Sequence, residues 1–341
     1  MTSTDAGAAA PVLAEVLRGD AVESRHRGSF AVVDGAGRVI SSAGPIEALV
    51  FPRSAVKPLQ ALPLIESGAV EKLSLSRKEI ALACASHRGE PAHTDAVRSW
   101  LAAAGLDASA LECGAHPPLG PAAAAALARQ GVAPSPLHNN CSGKHAGFLC
   151  TAVHLGENPR GYIQANHPVQ RRVTAALAEM TGADLATAPC GCDGCGIPTY
   201  AMPLRAVARG MARMVDTAGL GSERARAAAV VLDAMAAEPF FVEGTGSFVT
   251  DCMTVAGSTV RLKVGAEGVY AAALPRHGYG IALKIEDGAG RAAELVMASL
   301  LRSLGCFSEE QQQSLNAYLH PVVRNVAGRE VGVVRPSTDI P

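Results

Sequence analysis

Lysine is scarce in this chain. Of its 30 Lys and Arg residues, only Lys57, Lys72, Lys78, Lys144, Lys263 and Lys284 are lysine. Aromatic residues are also few, at 4%, and Trp100 is the sole tryptophan. That argues against a stacking platform for single-stranded nucleic acid. Charge of one sign is absent too: 30 basic against 31 acidic residues leave a net charge of -1. A chain so balanced is not built for bulk binding to nucleic acid or to an acidic membrane. Long apolar runs are missing, since stretches such as Ala122–Ala128 fall far short of the ~20 residues that span a bilayer. The opening Met1-Thr-Ser-Thr-Asp5 has no basic region before an apolar one, so no Sec signal peptide is expected. These absences point to a cytoplasmic protein with no nucleic-acid or membrane partner.

What is present is a chain able to bury a core. Hydrophobic residues make up 48% and charged residues 18% of 341 positions, which excludes a disordered chain. Strand signals come first: Val12–Val16, then Phe30–Val33 and Val39-Ile40 around Asp34-Gly-Ala-Gly37. The last two read as a hairpin. From about Ser54 the pattern turns helical. Ser76-Arg-Lys-Glu79 is a capping box. Further helices are predicted over Thr94–Ala104, Pro121–Gln130, His145–Leu155, Pro168–Met180, Pro203–Val215 and Glu223–Ala236. Gly268–Pro275 and Gly280–Glu286 form a second predicted hairpin. Arg291–Leu304 is helical, and Ser308-Glu-Glu-Gln311 caps what reads as the last helix. Strands at both ends with helices between imply an α+β fold. The terminal strands should share one antiparallel sheet flanked by helices. The expected lobes are 1–55 with 240–341 for the sheet and 56–239 for the helices.

Five segments carry the chemistry. Ser54-Ala-Val-Lys57 sets a hydroxyl and an amine one helical turn apart, a spacing that suits a serine nucleophile with a lysine base. Ser86-His87-Arg88-Gly89-Glu90 is polar where an apolar helix ends. Asn139-Asn140-Cys141-Ser142-Gly143-Lys144-His145 places a thiol, an amine and an imidazole on one helical face. Cys190-Gly-Cys192-Asp193-Gly194-Cys195 crowds three of nine cysteines into six positions. Without an export signal, thiols point to metal or catalysis rather than disulfides. By spacing alone, Cys141, His145 and Cys195 form a metal set. Lys263-Val-Gly265-Ala-Glu267-Gly268 opens the C-terminal hairpin, where its lysine could line a cleft.

In order and spacing these segments resemble the rhizobial-type (class 3) L-asparaginases, the asparaginase II group. The resemblance implies a serine β-lactamase/glutaminase-like fold. It implies an amidohydrolase that converts L-asparagine to L-aspartate and ammonia, usually as a homodimer. It implies two Ser-Lys tandems, Ser54 with Lys57 and Ser86 with Lys263. It implies zinc beside the substrate on Cys141, Lys144 and Cys195, and substrate contacts from Arg53, His145 and Asp193. Cys190 and Cys192 lie outside that motif, so which thiols would hold the metal stays open. The alternatives are a Ser-Lys hydrolase of another class, β-lactamase- or esterase-like, and a non-catalytic zinc-stabilised binding protein.

Overall fold

Strands form where β-branched and aromatic residues cluster, and they are numbered here in chain order. They are β1 Val12–Arg18, β2 Ala21–Asp34, β3 Val39–Ala43, β4 Leu49–Val50, β5 Cys190–Cys192, β6 Pro198–Tyr200, β7 Met202–Pro203, β8 Arg261–Gly265, β9 Val269–Leu274, β10 Tyr279–Ile285, β11 Val322–Arg324 and β12 Glu330–Pro336. The computed structural model describes residues 9–337 and 340. The chain divides into two compact units: Met1–Ala55, Ala201–Asp216 and Asp251–Pro341 form one, and Val56–Tyr200 with Thr217–Thr250 form the other.

The first unit is organised by an antiparallel sheet of order β11-β12-β1-β2-β10-β9-β8, with β3 also paired to β2. The N- and C-terminal strands therefore do share one sheet, and the fold is α+β. Strand β2 explains how one segment serves two neighbourhoods. Its first half alternates between exposed residues and half-buried or buried ones and pairs with β1. Its second half, Phe30–Val33, is buried on both faces between β3 and β10. A strand covered on both faces reads as a continuous apolar run rather than an alternation. Strand β9 is likewise buried throughout.

Helices Leu204–Val215 and Gly290–Ser303 pack on this sheet. A Cβ at Gly280 of β10 would collide with the Ala208 carbonyl oxygen, so the missing side chain is what lets helix and strand approach. This packing places Leu204–Val215 with the sheet, whereas a single boundary at 239/240 would give it to the helices. The expected last helix is a six-residue segment, Glu309–Ser314, whose Ser308–Gln311 capping box is present. A further turn, Asn316–Leu319, and strands β11 and β12 follow it. These two strands, of which β11 is the sheet edge, are largely exposed, so neither carries a long apolar run for sequence reading to find.

The second unit is helical. Pro58 and Pro63 each sit in a first turn, where no amide donor is needed, and they break the helical stretch after Ser54 into short pieces. These are a 3-10 turn Arg53–Val56, then Lys57–Gln60 and Leu62–Glu66. The Ser76 capping box opens Arg77–Ala83. At the centre lies Ser142–His154, buried over Ser142–Ala152. It packs on Arg77–Ala83, Pro91–Ala103, Leu62–Glu66 and Pro168–Thr181. A helix surrounded on all sides should be apolar all round. Lys144 and His145 are exceptions in this one, and each calls for a partner. Among the described residues, no helix is long and apolar enough to cross a membrane.

Candidate active site

The division between the units falls inside Ser54-Ala-Val-Lys57. In the sheet unit, Ser54 is half-buried within the 3-10 turn. Arg53 before it holds a left-handed φ of 51°, a conformation costly for a residue with a Cβ and often kept at functional sites. Lys263 is fully buried on β8, with Nζ 2.8 Å from the Val264 carbonyl oxygen. Gly265, two residues on, shares its strand face with Lys263. A Cβ there would come within 2.6 Å of the Pro52 carbonyl oxygen. Glycine therefore lets β8 pass directly against the turn that carries Arg53 and Ser54.

In the helical unit, Lys57 is fully buried at the start of its helix. Its Nζ lies 2.5 Å from the Ala85 carbonyl oxygen, 3.0 Å from Ser86 Oγ and 3.1 Å from Cys141 Sγ, all within hydrogen-bond reach. Ser86 follows the helix Arg77–Ala83, and its backbone N–H bonds the Val242 carbonyl oxygen. The lysine of the first Ser-x-x-Lys motif is thus bonded to the serine of the second segment. Beside Ser86, His87 accepts at Nδ1 from the Gly89 N–H, and its Nε2 lies 2.8 Å from Ser142 Oγ.

Cys141 continues this cluster. It caps Ser142–His154, so Lys144 follows one turn later on the same face. Lys144 Nζ donates to Cys195 Sγ at 3.1 Å. Cys195 reaches the cluster through the turn closed by Gly196 N–H to the Asp193 carbonyl oxygen. Its Sγ lies 3.7 Å from Asp193 Oδ2. The hydrogen bond from Cys195, with Lys57 and Lys144 nearby, holds Cys141 well below the usual thiol range despite its burial. The same hydrogen bond, together with burial, pushes Cys195 up. Burial pulls Lys144 down, but Cys195, Cys141 and Asp193 outweigh it and raise it. Two lysines thus flank the two sulfurs, Lys57 at Cys141 and Lys144 at Cys195. Cys190 and Cys192 lie apart from this pair. Both are exposed on β5, and each sulfur is near a backbone carbonyl oxygen of its own segment.

His145 is fully buried, with Nδ1 2.6 Å from Tyr162 Oη. Its Nε2 has no hydrogen-bond partner. Burial first, then Lys144 and Lys57, hold the ring well below the usual imidazole range. Tyr162 escapes sequence reading: it stands in a loop 17 residues beyond His145, with no periodic pattern to link the two. Burial also pushes Cys113 up to about 12, with Cys141 adding to the effect.

Among the described residues, no group of three or more His, Cys, Asp or Glu is placed to hold a metal ion. A zinc site here would need lysine as a donor beside Cys141 and Cys195. Two soft sulfurs and a nitrogen suit zinc, and the Lys144–Cys195 contact already brings two of these donors together. The donor set fits the ion. A cavity of about 440 Å³ elsewhere in this unit is lined by residues including Arg88, Pro91, Ala122, Leu127 and His138. None of the candidate site residues lines it.

Comparison with known proteins adds a family. A family model described as L-asparaginase II matches residues 14–336. No curated protein matched the chain. Among solved structures, one described as a candidate beta-lactamase from Bacteroides dorei DSM 17855 is similar at 15% identity and a TM-score of 0.39, covering 76% of this chain and 84% of that one. A beta-lactamase from Mycobacterium bovis is similar at 14% identity and a TM-score of 0.30, covering 85% and 94%.

Proposed function

Because this chain belongs to the L-asparaginase II family, we propose that it hydrolyses the side-chain amide of L-asparagine to L-aspartate and ammonia. The observation that carries the reading is the buried amine of Lys57 bonded to both Ser86 Oγ and Cys141 Sγ. Such a junction of base, hydroxyl and thiolate has no packing purpose that leucine would not serve better.

An amide is a poor electrophile, so its nucleophile must be activated. Ser54 attacks the side-chain carbonyl carbon while Lys57 takes the hydroxyl proton. Lys57 then returns that proton to the departing nitrogen, the C–N bond breaks, and ammonia leaves. Water hydrolyses the resulting ester, releasing aspartate and restoring the Ser54 hydroxyl. Ser86, with Lys263, relays protons or positions that water. Arg53 offers a planar fork to the α-carboxylate, Asp193 faces the α-ammonium, and His145 supplies a third contact. Zinc would be held by Cys141, Lys144 and Cys195, and would supply a Lewis-acid contact that orients the substrate. A cytoplasmic homodimer completes the reading.

The test is ammonia release from L-asparagine and L-glutamine, run beside turnover of a chromogenic β-lactam. Asparagine should be strongly preferred to glutamine. A pocket that clamps both α-groups fixes the amide's distance, and one extra methylene misplaces it. Comparable kcat/KM on both amides would reject the preference. Faster β-lactam turnover would favour a Ser-Lys hydrolase of another class, and zinc binding without any ammonia release would favour a binding protein.

A further inference from the structure

The partners of His145 determine which of its ring nitrogens carries the proton. Tyr162 is fully buried, and its hydroxyl oxygen accepts from the Glu112 backbone N–H at 2.9 Å. The hydroxyl proton then needs an acceptor of its own, and His145 Nδ1 lies 2.6 Å away. An imidazole nitrogen that accepts a hydrogen bond carries no proton, so in the neutral ring the proton sits on Nε2. The loop that carries Tyr162 is itself tied down, since the Gly161 N–H donates to Glu112 Oε1 at 2.7 Å. Tyr162 meets the imidazole edge-on at 5.4 Å, and Phe148 flanks it at 5.9 Å. Ring position and tautomer are both held.

The other end of the ring is open. Nε2 is buried and has no partner. A buried donor left unpaired is costly, a cost explained if a ligand atom completes it. We propose that Tyr162 is a positioning residue that presents the Nε2–H of His145 to an acceptor oxygen, carboxylate or carboxamide, of the bound amino acid. This rests on the assignment of His145 to the substrate site. It has a second consequence. A nitrogen bearing a proton has no lone pair for a metal, and Tyr162 occupies the lone pair on Nδ1. Binding of a metal by His145 would therefore require its tautomer to change and its bond with Tyr162 to be remade.

The experiment uses the full chain labelled with ¹⁵N-histidine. The His145 signals, out of ten histidines, are assigned by their loss in His145→Gln. The ring should show a protonated Nε2 and an unprotonated Nδ1, and Nε2 should respond to added L-aspartate, the product. In Tyr162→Phe the tautomer should become mixed. KM for asparagine should rise about tenfold, as expected for loss of one hydrogen bond to a charged group, with kcat changed much less. A wild-type ring protonated at Nδ1 would overturn the proposal, as would a Tyr162→Phe variant with both tautomer and KM unchanged. Should that variant fail to fold, the wild-type spectrum decides alone. Because the spectrum needs no turnover, failure of the asparaginase reading and failure of this inference are read separately.

Discussion

At the scale of single residues, the site depends on contacts that spacing reveals only in part. Cys141 and Lys144 are three apart, so their common helical face is legible in the sequence. The bond from Lys57 to Cys141 joins residues 84 apart, and no local pattern announces it. The role of the first Ser-x-x-Lys motif can be tested directly. Ser54→Ala and Lys57→Ala should each lower kcat by about 10³-fold or more, and the double variant should be little worse than either, because groups that act as a unit are not additive. Losses that multiply would show independent roles. The buried histidines supply a second residue-level test. Burial holds His87 and His145 well below the ordinary imidazole value, and it lowers His93 as well. Unfolding frees each ring to take up a proton near pH 6.5. Below that pH the unfolded state binds more protons, so stability should be full above about pH 6.5 and fall as pH drops, by up to about 1.4 kcal/mol per pH unit for each proton. Urea unfolding at pH 7.5 and 5.5 checks the sign. Equal stability at both would show that burial does not keep these rings neutral.

At the scale of elements, periodicity and caps located most helices to within a few residues. The helix predicted over Pro121–Gln130 spans Pro121–Arg129, and Pro168–Met180 extends by one residue to Thr181. Prolines and capping boxes act locally, which is why they are readable. Of the missed strands, β11 pairs only with β12, and β12 pairs with β1, more than 300 residues away in the chain; pairing over such a distance leaves no local trace. The central helix Ser142–His154 offers a contrast between two glycines. A Cβ at Gly143 would collide with the Leu82 carbonyl oxygen of the neighbouring helix. Gly147 has only ordinary contacts, the nearest being Leu64 Cδ2 at 3.4 Å. Gly143→Ala should therefore force the helices apart, at about 1–3 kcal/mol, and move Cys141, Lys144 and His145 with them, lowering both Tm and kcat/KM. Gly147→Ala should leave activity intact and keep or raise Tm, since alanine favours a helix interior by about 1 kcal/mol over glycine. Equal effects from the two substitutions would mean that the helix contact at Leu82 does not set the site.

At the scale of the whole molecule, the proposed zinc site makes a prediction about charge. The formal net charge is only -1, so a change of one unit is easily seen. The directions of their shifts favour thiolate at Cys141, thiol at Cys195 and ammonium at Lys144 before any metal binds. A metal ligand must be deprotonated. Zinc bound by Cys141, Cys195 and Lys144 should therefore displace two protons, one from Cys195 and one from Lys144. Two positive charges enter and two leave, so the isoelectric point should not move. With His145 in place of Lys144, only the Cys195 proton would leave, because the buried ring is already neutral. The molecule would then gain one positive charge. Calorimetric titration of metal-free protein in buffers of different ionisation enthalpy counts these protons, and isoelectric focusing reads the charge. Two protons per zinc, with uptake weakening as pH falls, are expected. Cys195→Ser should abolish uptake, while Cys190→Ser and Cys192→Ser, which alter exposed thiols, should not. One proton per zinc would move the site to His145 and require the tautomer inferred from Tyr162 to change. Unaltered zinc content in Cys195→Ser would remove the cluster as the metal site altogether.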